Sequence, residues 1–175
     1  MAAAAAAAEA AREAVEILEH VYCGTVAIEH MHITASDERR WIERRMESTR
    51  GDWAAQNTTR MRIDTLRDLT AAEGLEQYLH RRYVGQKRFS LEGADSLIPL
   101  LDEIVQGGGK RGVTDIVIGM AHRGRLNVLV NLLGKAPSEL FSEFEGRRAD
   151  ELRSGSGDVK YHQGFYSNIR TSCGP

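Results

Sequence analysis

DIVIGMAHRGRLNVLVNLL, residues Asp115 to Leu133, carries the two signals from which a fold class can be read. Its apolar run Ile116-Val117-Ile118, set between Asp115 and Gly119, has the pattern of a strand buried on both faces. A polar turn follows, Ala121-His122-Arg123-Gly124. Beyond it Leu126, Leu129, Val130 and Leu133 recur at helical spacing, and Gly134 marks the stop. A buried strand feeding a helix puts the joining loop at the strand's carboxyl end, where open α/β sheets bind ligands. That loop offers one imidazole, the guanidiniums of Arg123 and Arg125, and helix-start N–H groups, all of which favour an anion. The expectation is an anion pocket in an α/β fold.

The flanks fit that expectation. Upstream, Asp95 is placed to cap a helix in which Leu97, Ile98, Leu101, Ile104 and Val105 form a broad apolar face. Pro99 falls in its first turn, where a missing N–H costs little, and Gly107-Gly108-Gly109 is expected to break it. Helix, glycine break, strand, loop and helix make an αβα unit. The triple glycine is no phosphate cradle, because a P-loop needs its strand before the glycines and here the strand comes after. Downstream, Ser138 is placed to cap a short helix with Leu140, Phe141 and Phe144. After the polar stretch Arg147 to Asp158, Val159-Lys160-Tyr161-His162-Gln163-Gly164-Phe165 gathers another histidine among aromatic residues.

Residues 1–85 read as a helical lead-in. The alanine run Met1 to Ala8 opens a helix that continues to Tyr22, with Val15, Leu18 and Tyr22 as its apolar stripe and Ala14, Ile17 and Val21 in support. Val26 to Ile33 is a short strand or an extended connection; His30 and His32 within it lack a third ligand and make a poor zinc site. Thr34 or Ser36 caps a charged helix to about Ser48, whose Arg39-Arg40 and Arg44-Arg45 alternate with Glu38, Glu43 and Glu47. Such interleaving marks a solvated face. Met61 to Leu69 is a short helix, and Thr70-Ala71-Ala72-Glu73 is a capping box opening another one, with Leu75, Tyr78, Leu79 and Tyr83, as far as Gly85. Residues 86–175 then hold the αβα unit. A net charge of −2 over 175 residues gives no pointer to nucleic acid or an anionic membrane as the main partner, and neither is expected. No apolar run approaches the ~20 residues of a membrane span. Cys23 and Cys173, far apart and without metal-ligand spacing, read as free thiols of a reducing compartment, and no signal or transit peptide is recognised, so the expected location is the bacterial-type cytoplasm.

Four segments together resemble one family. They are Tyr22-Cys23-Gly24 with Met31-His32-Ile33-Thr34; LTAAEGLEQYL; KRFSLEGADSLIPLLDEIV; and IGMAHRGRLNVLVNLLGKAPSELFSEFEG with GDVKYHQGF. They are similar to the thiamin-diphosphate-dependent first component of the 2-oxoglutarate dehydrogenase complex, from about Val15 onward. The resemblance implies oxidative decarboxylation of 2-oxoglutarate in the tricarboxylic acid cycle, thiamin diphosphate with Mg2+ as cofactors, and transfer of the succinyl unit to a lipoylated succinyltransferase partner. It also implies that residues 86–175 are the start of an α/β domain with an incomplete parallel sheet, and a homodimer when the chain is full length. By matching positions it implies that Phe89, His122, His162 and Tyr166 bind substrate, with His122 and His162 catalytic. At Tyr166 the family has a small hydroxyl residue. The Gly-Asp-Gly…Asn signature for magnesium and the diphosphate, and the later domain with the activating glutamate, are absent from these residues. No cofactor or metal ligand is therefore assigned, and the chain is expected to be an N-terminal piece, inactive alone. Two alternatives stay open: a component acting on 2-oxoadipate, and a non-catalytic α/β module that binds a small carboxylate.

Overall fold

The computed structural model describes residues 2–52, 57–146, 162 and 164–171. Cys173 and most of the segment 147–163 lie outside the described residues. The chain divides into two compact units, Met1–Thr59 and Arg60–Pro175.

The first unit pairs α1 (Ala2–Tyr22) with α2 (Ser36–Glu47). Alanine is the best helix former, which lets α1 begin at Ala2. Its burial is narrower than the apolar stripe predicts. Val21 is fully buried and Ile17 half-buried, whereas Val15, Leu18 and Tyr22 are exposed, because one 12-residue helix cannot cover a 21-residue neighbour. The Tyr22 hydroxyl instead donates to Glu47 at 2.9 Å. Neither expected cap of α2 forms: Ala35 holds the cap position and Ser36 is the first helical residue. Asp37 and Glu38 lie in the first turn, where negative charge complements the helix N-terminus. Residues 26–33 form no strand. His30 is buried, with Nδ1 on the Ile28 carbonyl at 3.0 Å and Nε2 3.5 Å from Glu43, so it ties the connection to α2. The pairs Asp37–Arg40 and Arg39–Glu43 confirm the solvated charged face.

The second unit contains α3 (Thr59–Arg82), α4 (Leu97–Lys110), α5 (Arg125–Asn127) continuing directly as a π-helical turn (Val128–Leu132), and α6 (Pro137–Phe144). The two helices expected before Gly85 are one. The Thr70 hydroxyl donates back to the Leu66 carbonyl at 2.7 Å and Glu73 accepts from Gln77, so the capping box is unused inside a helix already under way. In α4 the three glycines stay helical, and the chain leaves at Gly112 (φ +83°), where Val113 N–H returns to the Gly108 carbonyl. Ala136 and Pro137, rather than Ser138, begin α6.

The helix after Gly124 is shared by two apolar clusters. Leu126 and Leu129 pack with Leu75, Leu79, Tyr83, Leu140 and Phe144; Val128 and Leu132 pack with Ala72, Leu91, Ile98 and Val105. The wide turn, in which Leu133 N–H reaches the Val128 carbonyl five residues back at 3.0 Å, lets neighbouring residues serve both clusters.

The predicted buried strand is corrected. Residues 113–121 form neither helix nor ladder, and the described residues form a helical rather than an α/β assembly. The alternation survives on one face: Ile118 and Met120 pack on the second cluster, while Val117 on the other face is 96% exposed. A strand becomes part of a sheet only when neighbouring strands take its N–H and C=O groups. Among the described residues there is no such neighbour, only a single bridge position at Thr171.

Gly124 fixes the entry to this helix with φ +72°, and a Cβ there would lie 2.5 Å from Leu91 Cδ1. Gly124→Ala is therefore expected to destabilise the chain by about 1–3 kcal/mol, through both strain and overpacking; an unchanged urea midpoint would contradict this. A second outcome concerns alkaline pH. Burial, then the nearby Glu145 carboxylate, raises the Tyr83 phenol above its usual value. The neutral phenol is favoured in the folded state, so its contribution is intact below pH ~10 and lost as pH rises through the folded value. Tyr83→Phe is expected to flatten the loss of stability above pH 10, measured by urea unfolding.

Candidate functional site

The site is built where the loop after α3 meets the loop before α5. The first loop carries Phe89 in the left-handed region at φ +46°, a conformation costing a non-glycine residue about 1–3 kcal/mol. What holds it there is visible on both sides. Its carbonyl accepts the Gly124 N–H at 2.8 Å, so the two loops are joined backbone to backbone beside the site.

Three residues far apart in sequence converge at this junction. The Phe89 and His122 rings lie 4.7 Å apart, inclined at 32°. His122 Nε2 and His162 Nε2 are 2.7 Å apart, with ring centroids at 4.9 Å. A contact that short pairs an Nε2–H donor on one ring with an Nε2 lone pair on the other. All three side chains reach the surface, so a ligand in solution has access to them. Tyr166, the fourth predicted site residue, does not join them: it is 83% exposed and its hydroxyl donates to Asn168.

The two arginines expected to face an anion have other work. Arg123 Nη2 donates to the Glu92 carbonyl at 2.9 Å and Arg125 Nη1 to the Met120 carbonyl at 3.3 Å, so both guanidiniums tie loop backbone together. Both leave positive charge close in sequence to His122.

Beneath the loops lies a polar network that sequence reading missed. Glu76, on α3, is only 2% exposed. Its Oε2 accepts from Arg88 Nη1; its Oε1 accepts the Leu91 N–H at 3.0 Å and Asn127 Nδ2 at 3.1 Å. Asn127, also fully buried, donates to the Ala72 carbonyl at 2.9 Å and accepts from Asn131. Arg88 Nη2 further reaches Glu92 at 3.2 Å and His80 Nδ1 at 3.4 Å, where the imidazole is the acceptor because a guanidinium has only donors. The available signals were a carboxylate between Leu75 and Leu79 and an asparagine inside Leu126-Asn127-Val128-Leu129. A second buried pair, Lys135 with Glu143 at 2.7 Å, links the end of the π-helical turn to α6. Among the described residues no group of three or more His, Cys, Asp or Glu side chains could hold a metal ion.

No protein-family model matches the chain. Individual relatives do. The chain is 52% identical over 164 residues to the 2-oxoglutarate dehydrogenase E1 component of Cupriavidus necator, an alignment covering 94% of the chain and 17% of that protein. It is 53% identical over 163 residues to the component of the same name from Azotobacter vinelandii (93% and 17%), and 48% over 157 residues to that of Haemophilus influenzae (90% and 16%). The resemblance carried by the KRFSLEG and AHRGRLN blocks thus extends over nine-tenths of the chain, which spans about a sixth of the length of the curated relatives it matches.

Removing Glu76 leaves the Arg88 guanidinium and the Leu91 N–H without their buried acceptor. Glu76→Ala is expected to cost about 3–5 kcal/mol, the range for breaking a buried pair from one side. A urea-unfolding loss below about 1 kcal/mol would show that the network relaxes without it.

Proposed function

We propose that this chain is the N-terminal portion of a 2-oxoglutarate dehydrogenase E1 component, and that Phe89, His122 and His162 form the part of its pocket that receives the 2-oxo acid. In this reading residues 1–85 are a helical lead-in and residues 86–175 open the first α/β cofactor-binding domain. The observation that carries the site assignment is convergence: residues 89, 122 and 162, singled out by motif position, meet within ring-contact distance.

The chemistry of the cluster suits a dicarboxylate with a keto group. When a ligand enters between two imidazoles that face each other across 2.7 Å, the Nε2–H that bridges them is freed to donate to a carboxylate or keto oxygen of the ligand. Phe89 supplies a flat apolar wall for the methylene chain, and Arg123 and Arg125 raise the local positive potential. Thiamin diphosphate with Mg2+ supplies the electron sink for decarboxylation in the complete enzyme. The described residues do not provide the donor set for that metal, so no step is assigned through it here. The succinyl unit passes to a lipoylated succinyltransferase in the same reading, and the setting is the cytoplasm; among the described residues no helix is long and apolar enough to cross a membrane.

The test is a titration of the 175-residue chain with 2-oxoglutarate, followed by NMR of the imidazole protons. Each hydrogen bond to a charged group is worth about 1.5–3 kcal/mol, so His122→Ala is expected to weaken binding by roughly ten- to hundredfold. A 2-oxo acid lacking the distal carboxylate is expected to lose less, with His122 on that carboxylate. Equal losses would move His122 to the keto end, and no loss would make it a histidine that only fastens its loop. The chain alone, given thiamin diphosphate and Mg2+, is expected to release no carbon dioxide and to show no saturable heat; stoichiometric binding would contradict the assignment of the cofactor ligands to residues beyond those described.

A further inference from the structure

We propose that Glu76 is a positioning residue for the Phe89–His122–His162 cluster, acting through Arg88 and Leu91 rather than by touching the cluster itself; this rests on the reading of that cluster as a substrate pocket. The argument starts from where its bonds fall. Arg88 immediately precedes Phe89 and Leu91 follows two residues later, so the single carboxylate grips the loop on both sides of its strained residue. Its third partner, Asn127, stands three residues after Gly124, whose N–H holds the Phe89 carbonyl. One buried side chain on α3 thereby sets the loop that carries Phe89 against the helix that follows His122. A left-handed non-glycine residue persists only where its surroundings over-determine it, and Glu76 supplies two of the restraints that do so.

A merely structural carboxylate would move stability and nothing else. A positioning carboxylate also sets the geometry between Phe89 and His122 in molecules that remain folded. The second buried pair of the unit provides the contrast. Glu143, on α6, pairs with Lys135 at 2.7 Å, and its side chain is as deeply buried as that of Glu76. Glu143→Gln therefore measures what general loss of a buried pair does to the site.

The experiment uses the 175-residue chain and two readouts. One is the nuclear Overhauser contact between the Phe89 ring and the His122 ring; the other is the dissociation constant for 2-oxoglutarate. Glu76→Gln is expected to remain folded, to lose the Phe89–His122 contact and to bind 2-oxoglutarate at least tenfold more weakly, with Glu76→Asp restoring part of both. Glu143→Gln is expected to lower the urea midpoint while leaving both readouts within twofold of the parent chain. If Glu76→Gln does not fold, Arg88→Gln, which cuts the same pair at its more exposed end, takes its place with the same expected losses. A folded Glu76→Gln or Arg88→Gln chain with an unchanged Phe89–His122 contact overturns the proposal, and so does an equal loss of that contact in Glu143→Gln. A parent chain that shows no response to 2-oxoglutarate, while Glu76→Gln still loses the ring contact, leaves the positioning role standing and overturns the functional reading beneath it.

Discussion

A carboxylate out of water needs partners on both oxygens, and much of the second unit can be understood as the provision of those partners to Glu76. An unpaired buried charge costs several kcal/mol, so the surrounding elements are not free to slide. Arg88 and the Leu91 N–H come from the loop after α3, Asn127 from the helix after Gly124. Apolar contacts alone would hold the same elements near each other, but they are non-directional. The polar network selects one register among the many that Leu75, Leu79, Leu126 and Leu129 would tolerate.

That register is then passed upward to the surface. Gly124, with its positive φ and no room for a Cβ against Leu91, turns the chain so that its N–H meets the Phe89 carbonyl and the next helix enters the core. The π-helical turn completes the arrangement by widening the helix where two clusters must both be satisfied. An ordinary α-helix would repeat its faces every 3.6 residues; the extra residue per turn at Val128–Leu132 redistributes Val128, Leu129 and Leu132 between them. Such turns recur at functional sites, and this one lies directly behind the loop bearing His122.

How much of this was legible in the sequence differs by residue. That Phe89, His122 and His162 belong together was signalled by their motif blocks alone, and the structure brings their rings into contact. Helices were legible in number only roughly: a Thr-x-x-Glu box at Thr70 carries the same letters inside a helix as at its start, and three glycines in α4 cost helix stability without forbidding the helix. Ile116-Val117-Ile118 has the composition of a central strand, but three residues cannot specify the strands beside them, and here only one face is covered. Glu76 was hidden for a different reason. A glutamate on a long charged helix reads as solvated, and its burial follows from a loop that arrives 12 residues later. For Arg123 and Arg125 the sequence shows a guanidinium's charge but not the loop carbonyls that Arg123 Nη2 and Arg125 Nη1 hold.

The claim on which the rest turns is that the two imidazoles form one site for one ligand. Their Nε2 atoms are 2.7 Å apart, so a molecule that binds either must disturb the other. The direct measurement is the response of the His122 and His162 ring resonances of the 175-residue chain to increasing 2-oxoglutarate. Both rings are expected to shift along a single saturation curve with one dissociation constant. Two curves with separate midpoints, or a shift at one ring while the other stays still, would contradict a shared pocket.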